Sequence, residues 1–136
     1  MKITIHSVID EIEGGITVGD PEINIITLDA DVRENGETLY VRYREESEAG
    51  TIQTVLTASP DGIRLSKKGA TEWDVIFVSG ESSDTVYRIP PYAFDAHISV
   101  QRAEKTKTAD GYVIRLIYLM NIGGADKSVK MKMTLK

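Results

Sequence analysis

The 136-residue chain has no cysteine. That removes disulfides, thiolate metal sites, redox pairs and cysteine nucleophiles together, and it suits a reducing compartment. Histidine is nearly absent too, with His6 and His97 as the only two. Both fall out of phase with their apolar neighbours, and no metal-ligand spacing surrounds them, so no metal site is expected. No apolar run approaches the roughly 18 residues that span a bilayer. The opening Met1-Lys2-Ile3-Thr4-Ile5-His6 lacks the apolar stretch of a secretory signal. The chain therefore reads as soluble and cytoplasmic, without a membrane partner. Positive charge is also in deficit, with 16 Lys and Arg against 21 Asp and Glu. A net charge of −5 speaks against a broadly basic nucleic-acid surface, so no nucleic-acid partner is expected.

Catalytic and cofactor signatures are missing as well. There is no Gly-x-Ser-x-Gly elbow and no Walker loop, and Ser79, Ser82 and Ser83 sit in an apparent loop. The pairs Gly14-Gly15 and Gly123-Gly124 have no helix after them and read as turns. Carboxylate pairs such as Glu45-Glu46, or Asp29 with Asp31, are of a kind common on wet surfaces. No residue is assigned a catalytic role from motifs, and no cofactor is expected.

What the chain does contain is period-two alternation broken by turn dipeptides, the mark of an all-β protein. Lys2–Asp10 puts Ile3, Ile5 and Ile9 on one face, and a loop holding Gly14-Gly15 and Asp20-Pro21 follows. Glu22–Glu34 aligns Ile26, Leu28, Ala30 and Val32, and Asn35-Gly36 then makes a hairpin turn. Thr38–Glu45, Thr51–Ala58 and a short strand with Ile63 and Leu65 continue the meander. Thr71–Ser79 aligns Trp73, Val75 and Phe77. Thr85–Ile89 ends at Pro90-Pro91, and Ala93–Lys107, Tyr112–Ile122 and Ser128–Lys136 complete the chain. The last strand alternates Val129, Met131, Met133 and Leu135 with polar residues, as expected of one buried and one wet face. These strands form one domain over residues 1–136. Successive hairpins favour an antiparallel up-and-down barrel of about 8–10 strands, whose closure removes exposed edges.

Several short runs strengthen this reading. Tyr43-Arg44-Glu45-Glu46, Gly50-Thr51-Ile52-Gln53-Thr54, Lys67-Lys68-Gly69, Phe77 with Gly80, Tyr87 and Pro91-Tyr92 are spaced along nearly the whole chain. In these the chain resembles the YwiB-like family of uncharacterised bacterial proteins. The resemblance implies a calycin-type, lipocalin-like β-barrel and brings no activity with it. Two positions depart from the family pattern: Lys67 stands where arginine is usual, and Ala93 where glycine follows the proline-aromatic pair.

Strand parity also nominates a site. If Leu39, Val41 and Tyr43 face inward, so does Glu45; Thr54 follows Ile52 and Leu56, and Lys67 follows Ile63 and Leu65. By the same rule Arg102 faces in with Ile98 and Val100. Buried charges need partners, so Glu45 and Lys67 should meet each other or a ligand. The candidate ligand-binding residues are Tyr43, Glu45, Thr54, Lys67, Tyr87, Arg102 and Tyr118, arranged as polar contacts in an otherwise apolar interior. The competing arrangement puts these groups at strand ends, rimming the barrel in water or forming a structural ion pair.

Three functions fit these features. The first is binding of a small, partly apolar molecule inside the barrel. The second is an enzyme using that cavity with Glu45 as acid or base. The third is an interaction domain with a filled interior. The strand Tyr112–Ile122 is apolar on both faces, with Val113, Ile117 and Leu119 on the second, which calls for cover by a loop or by another subunit, a homodimer being slightly favoured.

Overall fold

The computed structural model describes residues 1–136. Ten strands follow one another: β1 (Lys2–Glu13), β2 (Ile16–Asn35), β3 (Thr38–Ser47), β4 (Gly50–Ser59), β5 (Gly62–Gly69), β6 (Trp73–Phe77), β7 (Ser82–Ile89), β8 (Tyr92–Lys107), β9 (Tyr112–Ile122) and β10 (Ala125–Leu135). They form a single antiparallel sheet in the order β6-β5-β4-β3-β2-β1-β10-β9-β8-β7. Every neighbour but one is a hairpin partner. The exception, β1 with β10, brings the two ends of the chain together, with Lys2 N–H donating to the Lys136 carbonyl at 2.8 Å and Lys136 N–H to the Lys2 carbonyl at 3.0 Å. The outermost strands, β6 and β7, meet through a bridge between Glu72 and Arg88, whose backbones exchange hydrogen bonds of 2.8 and 2.9 Å. The result is a nearly closed ten-stranded barrel without helices.

Alternation decides what lines it. Ile3, Ile5, Leu39, Val41, Leu56, Ile63, Leu65, Phe77, Ile98, Ile114, Leu116, Met133 and Leu135 belong to one buried apolar cluster that fills the waist. Fully burying each large aliphatic or aromatic side chain contributes about 1.5–3 kcal/mol. These residues hold the strands together.

Three features depart from simple alternation. First, the expected loop at 14–21 shrinks to a turn at Gly14-Gly15, and β2 begins at Ile16. Gly19, Asp20 and Pro21 are absorbed in a register shift between Ile9 and Glu11, which accommodates proline's missing donor within the strand. Second, β8 carries a bulge between Val100 and Arg102. The extra residue, Gln101, reverses the alternation, so Arg102 faces outward and not inward as parity predicts. Its side chain is half exposed, with Nε 3.8 Å from Glu104 Oε2. Third, β2 pairs with β3 only from Ala30 to Asn35, whereas its pairing with β1 runs from Ile16 to Asp29. Beyond Ala30 the two strands part, and a fork opens in the wall.

Candidate functional site

Antiparallel register builds the site. Ala30, Tyr43, Thr54, Lys67 and Trp73 are successive cross-strand partners on β2 to β6, forming one transverse row. One step further along, Glu45 is opposite Ile52, and Ile52 is opposite Gly69. Gly69 has φ +114°, and a Cβ there would collide with the Thr51 carbonyl, so a glycine lets β5 turn away directly after the row. Tyr43 and Trp73 are each 7% exposed and Thr54 only 1%. Lys67 Nζ lies 3.5 Å from Glu45 Oε1, and both side chains are mostly buried, at 22% and 23% exposure. At that distance the ion pair is looser than a close charge-assisted contact.

Aromatic rings connect this row to the other side of the barrel. The Tyr87 ring on β7 stands 5.6 Å from Trp73 at 70°, Trp73 stands 6.1 Å from Phe77 at 86°, and Phe77 lies 4.8 Å from Tyr118 on β9. The first two are edge-to-face contacts, the arrangement favoured by ring quadrupoles. Burial pushes the Tyr43 phenol well above its ordinary pKa, the charge of Glu45 adds to the effect, and the Thr54 hydroxyl beside it offsets part of the rise. Tyr118 is raised by burial and then by Tyr87. Both phenols therefore stay protonated near neutral pH.

Two atoms in the row lack a full match. Trp73 Nε1 is buried without a hydrogen-bond partner, and Thr54 Oγ1 has no well-formed one, only the Tyr43 phenol beside it. Buried polar groups are rarely left so, and one left unpaired costs about 1–3 kcal/mol. Trp73 adjoins the seam between β6 and β7, where a depression of about 390 Å³ is lined by Lys67, Glu72, Trp73, Thr85 and Arg88, among others; Thr54, two strands away on β4, lies outside it. A larger cleft, about 600 Å³, lies at the opposite end of the barrel among Glu34, Glu37, Asp61, Glu104, Lys105 and Tyr112. There Lys105 Nζ already donates to the Glu37 carbonyl at 2.6 Å, and neither Thr54 nor Trp73 lines it.

Of the seven candidate residues, the structure brings Tyr43, Glu45, Thr54 and Lys67 together and places Tyr87 and Tyr118 along the adjoining chain of rings. Arg102 is on the outer wall, displaced by the bulge. The residue parity did not nominate is Trp73. It is in phase with Val75 and Phe77 and reads as core; only the β5–β6 register, which sets it opposite Lys67, reveals its indole N–H as part of the polar row. No group of three or more His, Cys, Asp or Glu is placed to hold a metal ion. His97 Nδ1 lies 2.7 Å from Asp84 Oδ1 on the exposed surface.

Comparison with known proteins agrees with this architecture. The family described as a domain of unknown function (DUF1934) matches residues 4–135. Among solved structures, the chain is similar to the crystal structure of the ywiB protein from Bacillus subtilis, with TM-score 0.74 and 18% identity over 99% of this chain and 92% of that one. At that identity the likeness shows the fold. No curated protein matches. With its model spanning all but the first three residues and the last, the chain belongs to the DUF1934 family, the one its sequence resembles.

Proposed function

We propose that this barrel is a calycin-like binding module for a small, partly apolar molecule that carries a hydrogen-bond-accepting headgroup. The observation behind this reading is the unmatched buried Trp73 Nε1, in one row with Lys67 and with a Thr54 hydroxyl that has only the Tyr43 phenol beside it. An indole N–H can only donate, a threonine hydroxyl can donate, and a lysine ammonium has three protons to offer. Protonated Tyr43 adds a fourth kind of donor beside them. Such a set calls for a carbonyl or, better, a carboxylate, which would draw Lys67 from its loose contact with Glu45. The Trp73 ring and Val86 supply apolar surface for the remainder of the molecule. The combination of an apolar wall with a few convergent polar groups is the usual composition of a small-molecule site.

Trp73 is the sole tryptophan among six tyrosines, so fluorescence excited beyond the tyrosine absorption band reports on the site alone. Titration with decanoate is expected to change Trp73 emission saturably, with decanol weaker and decylamine weakest. Lys67→Met should weaken decanoate binding about 10–100-fold, the loss of one hydrogen bond to a charged group. Equal responses to decanoate and decylamine, or none to either, would refute the reading.

A further inference from the structure

The fork leaves a long backbone edge without a partner. Ala30 N–H donates to the Met1 carbonyl at 2.8 Å, which fixes the even-numbered residues of this part of β2 as those bonded to β1. By alternation, the N–H and C=O groups of Ile23, Ile25, Thr27 and Asp29 point the other way. β3 would take them had its pairing not stopped at Ala30. The edge is apolar on both faces: Ile23 is 58% exposed, Ile25 67% and Ile26 37%.

Natural sheets blunt such edges with charge, proline or short strands. Between Glu22 and Asp29 this edge has none of these, and Ile23-Asn24-Ile25-Ile26-Thr27-Leu28 is an uncharged run rich in β-branched residues. A segment of that kind on an open edge is a template for another strand.

We infer that the occupant is a second copy of this chain, joined edge to edge through β2 about a two-fold axis at Ile25. Self-complementarity carries the choice. Antiparallel pairing centred there sets Ile25 opposite its counterpart, Ile23 opposite Thr27, Asn24 opposite Ile26 and Glu22 opposite Leu28, with no like charges facing. The outward-pointing groups of Ile23, Ile25 and Thr27 then exchange about six backbone hydrogen bonds across the axis. Pro21, which has no donor, falls opposite Asp29 and bounds the ladder. Such an isologous contact closes on itself and does not propagate. The outer face of β9 is a poorer choice, because Lys130 stands beside Ile117 and Lys132 beside Arg115, and a two-fold stack would bring these cations together.

The inference is independent of the ligand reading and is tested without any ligand. Sedimentation velocity of the full chain across micromolar concentrations should show a dimer. Ile25→Pro removes only an N–H that β1 does not use, so the barrel should keep its circular dichroism and Trp73 emission while association weakens at least tenfold. Ile25→Lys, which leaves the backbone untouched, should do the same and decides the matter if the proline variant does not fold. A wild-type chain that remains monomeric overturns the inference. So does a folded Ile25→Lys or Ile25→Pro chain that dimerises as the wild type does.

Discussion

The barrel wall is interrupted twice, and the two interruptions are built differently. At the β6–β7 seam the strands are joined by the Glu72–Arg88 bridge, by the Thr85 hydroxyl donating to the Asp74 carbonyl at 2.8 Å, and by the Trp73–Tyr87 ring contact beneath. Its surface carries charge in Lys68, Glu72, Asp74 and Arg88. At the β2–β3 fork nothing replaces the lost ladder, and Ile23, Ile25 and Ile26 are exposed there between Glu22 and Asp29. The reason is length and divergence: β2 has 20 residues and β3 has 10, so the first half of β2 runs past its neighbour, and β3 itself leaves β2 after Tyr43 to continue along β4. A meander must close somewhere between its outer strands, and here side chains do what the ladder does elsewhere. The fork, by contrast, follows from unequal strands, and its stability needs no side-chain joins because β1 already holds β2.

Phe77 gives the largest test of that contrast. It is fully buried and touches both Trp73 and Tyr118, so Phe77→Ala should cost about 3–5 kcal/mol in urea unfolding. Ile26→Ala at the fork should cost less than about 1 kcal/mol, because more than a third of that side chain already meets water. Comparable losses would mean that the fork is as tightly held as the seam. A smaller effect belongs to the ion pair set beside the row. Replacing Lys67 by methionine leaves Glu45 mostly buried and unpaired, and Glu45→Gln in the same chain should recover part of the loss. A double-mutant cycle is expected to give a coupling of about 1 kcal/mol, read from the same unfolding curves. Additive effects would show that the two groups are independently solvated.

These contrasts also mark what could be read from the residues alone. Side-chain parity along β3, β4 and β5 places Glu45, Thr54 and Lys67 inward because no bulge interrupts those strands. The same rule fails for Arg102, since a bulge such as that at Gln101 leaves no turn residue behind to announce it. Asp20-Pro21 reads as a loop from local chemistry, yet the strand absorbs it because β1 supplies a continuous partner on either side. Trp73 escaped for another reason. Alternation identifies a face but not which residue lies opposite on the next strand, and its place beside Lys67 depends on that register alone. The fork is likewise invisible without knowing where pairing ends.

The finest distinction concerns the outer face beside the seam, where Arg64 on β5 holds Asp74 on β6 with Nε to Oδ1 at 3.0 Å and a terminal nitrogen to Oδ2 at 2.6 Å. The hydrogen bonds from Arg64 hold the Asp74 carboxyl below its ordinary value of 3.8, against a smaller opposing effect of burial. A folded-state pKa below the unfolded one means that the carboxylate form is favoured by folding. Its contribution is complete above the unfolded value and disappears as acid carries the solution down through the folded one. Asp74→Asn removes that contribution at every pH, whereas the wild type forfeits it only in acid. Thermal unfolding should therefore show the wild type modestly more stable at neutral pH, with the gap narrowing from about pH 4 downward. Because the pair is half exposed, added salt should shrink the gap as well. A gap that widened in acid would mean that the Asp74 carboxylate is destabilised by its surroundings, and that β6, the strand that carries Trp73 to the seam, is not held to β5 by this pair.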